Sequence, residues 1–334
     1  MKNERILILG ATGAMAVYLI PELLNKGYEI VGVTLDDVTS DTSGLTYIKA
    51  DAKDMEFLKE LLKSGFDAIV DFMIYNRVSD FREYCELFLK NTRHYVFLST
   101  YRIYADDSPL SETSKRLLDV EKPSDFVNEL EYSIYKAEEE DLLLSSSFDN
   151  FTIVRPAITY SKKRFQLTTL EGNVFVWRML NGKTVVLPEG AMEKEATLSW
   201  AGDVAKMLAS IILNPKAWRE IYNVSTNEHM TWEKIAEIYT RLGGLKYITV
   251  SDETFLDIIA EGAVYAKQQL LYDRCFDRVV DNRKILELSG LKEDDLMPIF
   301  DGLAHELKNI KPDTYHPNTY INDRMDAYLN SLNK

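Results

Sequence analysis

The stretch Arg5-Ile-Leu-Ile-Leu-Gly10-Ala-Thr-Gly13-Ala-Met-Ala16 decides the fold. Five residues dominated by Ile and Leu read as a short buried strand, two glycines follow at once, and a 3.6-residue apolar period then runs from Met15 to Lys26. Gly10 suits a tight turn, Gly13 lets the backbone approach a pyrophosphate, and Ala16 keeps the helix close to the strand. The free N–H groups and positive dipole end of that helix favour phosphate. The reading is a dinucleotide-binding strand–turn–helix.

Outward from this turn the same alternation repeats. Glu29–Thr34, Thr46–Lys49, Ala68–Phe72, Tyr95–Ser99 and Thr152–Arg155 read as further buried strands. Met55–Ser64 and Asp80–Asn91 read as helices between them. Apolar strands alternating with helices imply a parallel sheet covered on both faces. Beyond residue 158 the pattern becomes helical, over Asn173–Asn181, Asp203–Leu213, Thr231–Leu242, Glu253–Leu271, Asp295–Lys308 and Asp323–Leu332. Gly182–Leu187 and Ile221–Val224 are the β exceptions. The expected fold is α/β, a Rossmann-type doubly wound parallel sheet with a smaller, mostly helical C-terminal substrate domain. Residues 1–158, with 197–225 returning to them, make the cofactor domain; 159–196 and 226–334 make the substrate domain.

The end of the second strand bears on cofactor choice. Thr34 fills the slot where an acid would bond the ribose, and Asp36 and Asp37 follow with no Lys or Arg beside them in sequence. Carboxylates repel a 2′-phosphate, so NAD is expected, with NADP left open. Tyr132 and Lys136, four apart at the start of a helix reaching about Ser147, project from one face. A lysine beside a phenol stabilises the phenolate and makes tyrosine a usable acid/base. A solvated helix face would carry the same spacing.

Composition narrows the classes. The chain has 334 residues, 39 Lys+Arg against 53 Asp+Glu, and a net charge of -14. That acidity disfavours nucleic acid as a partner. Cys85 and Cys275 stand far apart and the four histidines show no ligand spacing, so no metal site is expected. No apolar run is long enough for a signal peptide or membrane span, and the expected setting is cytoplasmic.

The glycine turn, Phe97-Leu-Ser99-Thr100 leading to Ile103-Tyr104, Tyr132…Lys136 and Ile153-Val-Arg155-Pro156 together resemble the extended short-chain dehydrogenases/reductases. That superfamily includes NAD-dependent epimerases and dehydratases of nucleotide sugars. Asp203-Val-Ala205 and Tyr222-Asn-Val-Ser add to the likeness. The stretch 50–71 is similar to an epimerase-like branch that also contains chloroplast RNA-binding stem-loop proteins.

The resemblance implies Tyr132 as acid/base, Lys136 on the nicotinamide ribose, and Thr100 on the reacting oxygen. It also implies Gly10, Thr12, Gly13, Ala14 and Met15 along the pyrophosphate turn, Asp51 and Ala52 near the adenine, and Phe72, Met73, Tyr75 and Ser99 flanking the cofactor. Pro156, Ala157 and Ile158 would approach the nicotinamide. A homodimer through helices near the Tyr–Lys segment is a further implication. Tyr101-Arg102 stands where sugar-nucleotide dehydratases carry Asp-Glu, which weakens 4,6-dehydration. Arg102, Tyr160, Arg164, Arg178 and Trp200 are candidate substrate contacts; between Pro156 and Asp203, Lys162, Lys163, Arg164, Arg178 and Lys183 make a basic excess that Glu189, Glu193 and Glu195 could equally balance as solvated surface. The leading expectation is an NAD-dependent epimerase or oxidoreductase of a nucleotide sugar. A reductase of another carbonyl compound and a non-catalytic cofactor-binding or RNA-associated protein stay open beside it.

Overall fold

The computed structural model describes residues 3–75, 77–106, 108–120, 132–259, 266–308, 310–311 and 314–332. Its first half alternates strand and helix: β1 (Arg5–Leu9), α1 (Ala16–Asn25), β2 (Glu29–Thr34), β3 (Leu45–Lys49), α2 (Met55–Leu62), β4 (Phe66–Asp71), α3 (Val78–Asn91), β5 (Thr92–Leu98), α4 (Tyr132–Leu144) and β6 (Phe151–Pro156). Then come β7 (Ile158–Tyr160), β8 (Gln166–Leu167), β9 (Leu170–Glu171), β10 (Thr184–Pro188), β11 (Glu195–Trp200), β12 (Glu220–Val224), β13 (His229–Thr231) and β14 (Lys246–Val250).

Seven strands form one parallel sheet in the order β12-β6-β5-β4-β1-β2-β3. The order reverses between β1 and β4, and ligands of such sheets bind at the carboxyl ends beside that reversal. Ile6, Ile8, Leu7 and Leu9 of β1 alternate between two apolar layers. One layer is roofed by α1 and by the helix Ala201–Ile211; the other includes residues of α2 and α3. This is the Rossmann-type α/β fold expected, and β12 supplies a further strand from beyond the substrate-side segment.

The second half holds more strand than its pattern suggests. β7, β11 and β13 form a three-stranded sheet, while β10 pairs with β14. In β11 the middle four residues are all buried, so the two-residue alternation that reveals a half-exposed strand is missing. The expected helix Glu253–Leu271 is also interrupted: Asp252–Ile259 is α-helical, and Leu270–Arg274 is a π-helical turn.

Candidate active site

A cavity of about 1250 Å³ opens at the reversal point, walled by the ends of β1, β2, β4, β5 and β6. Gly10 has φ +80°, open to glycine at little cost, and it closes the turn by donating to the carbonyl of Val33 at 3.0 Å. A Cβ on Gly13 would stand 3.1 Å from the Gly10 carbonyl oxygen. Thr12, Ala14 and Met15 complete this part of the wall. The first turn of α1 carries no acidic residue, which leaves its positive end unopposed for phosphate. Lys163 Nζ reaches over from the second half to the Thr12 carbonyl at 2.8 Å and brings positive charge to the same turn.

Asp36, Asp51 and Ala52 line the cavity as expected, as do Phe72 and Met73. Thr34, in the slot where an acid would stand, shares a 2.7 Å hydrogen bond with Thr12 and accepts from the Asp36 amide. Asp37 turns outward to Lys49, its Oδ2 3.0 Å from the ammonium. A cation therefore does stand near the second strand, invisible in sequence because Lys49 arrives through the parallel register of β3 with β2. Tyr75 does not line the cavity. Its hydroxyl donates to buried Asp71, which also accepts from Tyr95 and from the Met73 amide. Burial pushes the Asp71 carboxyl up, and these three donors pull against that.

At the other end stand Ser99, Thr100, Tyr132, Pro156, Ala157 and Ile158. Thr100 caps the 3-10 turn Tyr101–Ile103, its hydroxyl accepting from the Arg102 amide at 3.2 Å. The helix bearing Tyr132 is set against β6 by a buried bidentate pair, Arg155 Nε and Nη2 to Glu140 at 2.9 and 2.6 Å. Arg155 Nη1 donates to Tyr104 at 2.9 Å, which fixes the Thr100 turn in the same frame.

Lys136 is not at the cavity surface. Its ammonium lies 3.0 Å from the Leu98 carbonyl and 2.9 Å from Glu139, behind the wall that Leu98 forms. Burial pushes the Glu139 carboxyl up to about 7 against the opposing pull of Lys136.

Among the expected substrate contacts, Arg102 and Arg164 line the cavity. Tyr160, Arg178 and Trp200 do not. Arg178 is buried and clamps the C-terminal helix, donating to Thr184, Asn322 and Asp326. Trp200 Nε1 donates to Glu306, as does the hydroxyl of Tyr18. Tyr160 is wholly buried, its hydroxyl where a Cβ on Gly302 would be. Tyr135, Gln166, Glu171, Gln269 and Arg274 line the wall without having been singled out in sequence. Tyr135 had a signal, since it lies one turn from Tyr132 on the same helix.

The residues present fit a dinucleotide. Ser99 lines this cavity, and its buried hydroxyl has no hydrogen-bond partner among the described residues. Gly10 and Gly13 form a cradle that side chains would fill.

No helix among the described residues is long and apolar enough to cross a membrane. The curated "Chloroplast stem-loop binding protein of 41 kDa b, chloroplastic" of Arabidopsis thaliana is 24% identical over 258 residues, 72% of this chain and 64% of that protein. The chain thus spans less than two thirds of that relative's length. A UDP-glucuronic acid 4-epimerase from Bacillus cereus, solved with UDP-glucuronic acid and NAD, superposes with TM-score 0.69 at 16% identity, covering 96% of this chain and 99% of that one. The UDP-glucose 4-epimerase of Thermotoga maritima, solved with UDP-glucose, gives TM-score 0.68 at 16% identity over 91% and 97% of the two chains. The profile of the NAD dependent epimerase/dehydratase family matches residues 6–225, well over half the sequence. The chain belongs to that family.

Proposed function

We propose that the chain is an epimerase or oxidoreductase of a nucleotide sugar, with Tyr132 as its acid/base. The observation that carries this is the meeting of the glycine turn, the Ser99–Thr100 pair and Tyr132 on one cavity. NAD, when bound, supplies the hydride acceptor. Tyr132 takes the proton of the substrate hydroxyl at its phenol oxygen, as that carbon gives up hydride and becomes a ketone. Thr100 donates to the same oxygen, a role compatible with its capping bond, which uses the hydroxyl only as acceptor. Lys136 supplies positive charge behind Leu98 and favours the phenolate. Hydride returned to the opposite face inverts the carbon; no return leaves an oxidation. In this reading residues 1–158 with 197–225 hold the cofactor, and 159–196 with 226–334 roof the substrate.

Turnover of a panel of UDP- and dTDP-sugars by the NAD-loaded chain tests the reading, followed by isomer exchange in NMR and by absorbance of reduced cofactor. Conversion that vanishes in Tyr132→Phe supports it. NAD binding with no conversion of any sugar favours the non-catalytic reading, for which the withdrawn position of Lys136 is the specific observation.

A further inference from the structure

The cavity is electrically lopsided. Its β1–α3 portion contributes Asp36, Asp51 and Asp80 against Arg77, whereas the remaining wall contributes Arg102, Arg164 and Arg274 against Glu171. In a chain of net charge -14, three guanidiniums on one wall are a local reversal.

Behind that wall one carboxylate, Asp273, serves several cations. Its Oδ1 accepts from Arg278 Nε at 2.9 Å, and its Oδ2 takes Arg274 Nη1 and the Tyr101 hydroxyl, with Arg102 Nε 3.8 Å away. Asp273, Arg274 and Arg278 are each about 1% exposed. Arg274 and Arg278 outnumber that carboxylate, and Asp106 adds a further attraction on Arg278. Burial correspondingly pulls both guanidiniums down, Arg278 to about 10, and Arg102 adds repulsion to each.

Arg274 carries five N–H donors. Thr168, Tyr101, Asp273 and Gln166 take one each, and a further N–H at Nη2 is left on a residue that lines the cavity. The Arg102 guanidinium lies 5.2 Å from the centre of the Tyr132 ring.

We propose that Arg102 and Arg274 take a carboxylate carried by the substrate on the carbon next to the reacting one, making the substrate an acidic sugar. This deepens the nucleotide-sugar reading and rests on it. Arg102 stacks on the ring of the acid/base itself, so the group it meets stands close to the reacting carbon. A carboxylate there is two bonds from that carbon, while a diphosphate leaves the ring from the anomeric position. Guanidinium recognises carboxylate through paired N–H donors.

Calorimetric titration of the NAD-loaded full chain with UDP-glucuronic acid, UDP-glucose and UDP tests this, in the wild type, Arg102→Gln and Arg102→Lys. UDP-glucuronic acid is expected to bind about 10- to 100-fold tighter than UDP-glucose, the scale of one charge-assisted bond. Arg102→Gln should erase that advantage with NAD affinity unchanged, and Arg102→Lys should keep part of it. Equal or tighter binding of UDP-glucose overturns the proposal, as does an advantage that survives Arg102→Gln. If UDP alone weakens as much as UDP-glucuronic acid in Arg102→Gln, the arginine reads the diphosphate and the proposal falls. If no uridine nucleotide binds, the nucleotide-sugar reading fails by itself. Free glucuronate against glucose then decides: glucuronate binding that Arg102→Gln abolishes upholds the carboxylate site, and its absence removes it.

Discussion

The Lys136 ammonium lies 2.9 Å from the Glu139 carboxylate one turn further along α4, and neither side chain is more than 1% exposed. The Glu139 oxygens find no hydrogen-bond partner besides this ion pair among the described residues, and Asp71 adds a second buried carboxylate nearby. Burial therefore holds the Glu139 carboxyl at about 7, above its unfolded value of 4.5. The folded chain takes up a proton there, so stability falls as pH rises from about 5 to 7 and stays lower above that range. Glu139→Gln removes the titration. Urea unfolding at pH 5 and pH 8 should show the mutant gaining on the wild type at the higher pH, by at most about 3 kcal/mol. Parallel pH profiles would mean that Glu139 stays ionised throughout.

His94 runs the other way. Wholly buried on β5, its Nδ1 accepts from the Leu213 amide at 2.9 Å and its Nε2 lies 2.9 Å from the Thr152 hydroxyl. The amide fixes Nδ1 as acceptor, so protonation there costs that bond. Burial pulls the imidazole down to about 3, and its contribution, complete above the unfolded value of 6.5, is lost as pH falls from there toward 3. His94→Gln should flatten the acid side of the stability profile while lowering stability at pH 7. An unchanged acid limb would contradict the neutral assignment.

Gly13→Val puts a side chain against the Gly10 carbonyl and into the phosphate cradle. NAD affinity should fall by two orders of magnitude or more, on the order of 3 kcal/mol, with the far-ultraviolet circular dichroism preserved. Wild-type affinity in the mutant would move the pyrophosphate away from this turn.

Tyr132→Phe keeps the ring that packs beneath Arg102 and meets Tyr135 edge-on, and removes only the transferable proton. With a substrate in hand, turnover should drop by about 10²–10⁴ while NAD binding stays within about twofold. Lys136→Met tests whether charge behind the wall matters: the loss should appear in kcat, with NAD binding kept. A kcat unmoved by Lys136→Met would make this lysine purely structural.

What sequence could deliver followed from local pattern. Short apolar runs gave β1, β2, β4, β5 and β6 within a few residues, because parallel strands buried on both faces need nearly continuous apolar side chains. The glycine turn was legible for the same reason. Arg178 and Trp200 were misplaced because their partners, Asp326 and Glu306, stand 148 and 106 residues further on, a distance no periodicity reveals. Lys136 shares a helical face with Tyr132, yet its long side chain turns to Glu139, and spacing says nothing of that choice. Arg274 stayed hidden because the run before it reads as unbroken helix, whereas the π-helical turn swings the wall residues of this segment to the cavity.

The edge strand β12 has a consequence for dissecting the chain. It pairs along all five of its residues with β6, which is buried from end to end, yet it is made only after the whole stretch 157–219. A fragment ending near residue 158 would thus be born with a raw apolar β edge, and without the helix Ala201–Ile211 that covers α1. Such an edge invites strands from other copies. That fragment should come out of cells as inclusion bodies and not as a minimal nucleotide-binding module, whereas a version cut after residue 225 retains the strand that closes the sheet.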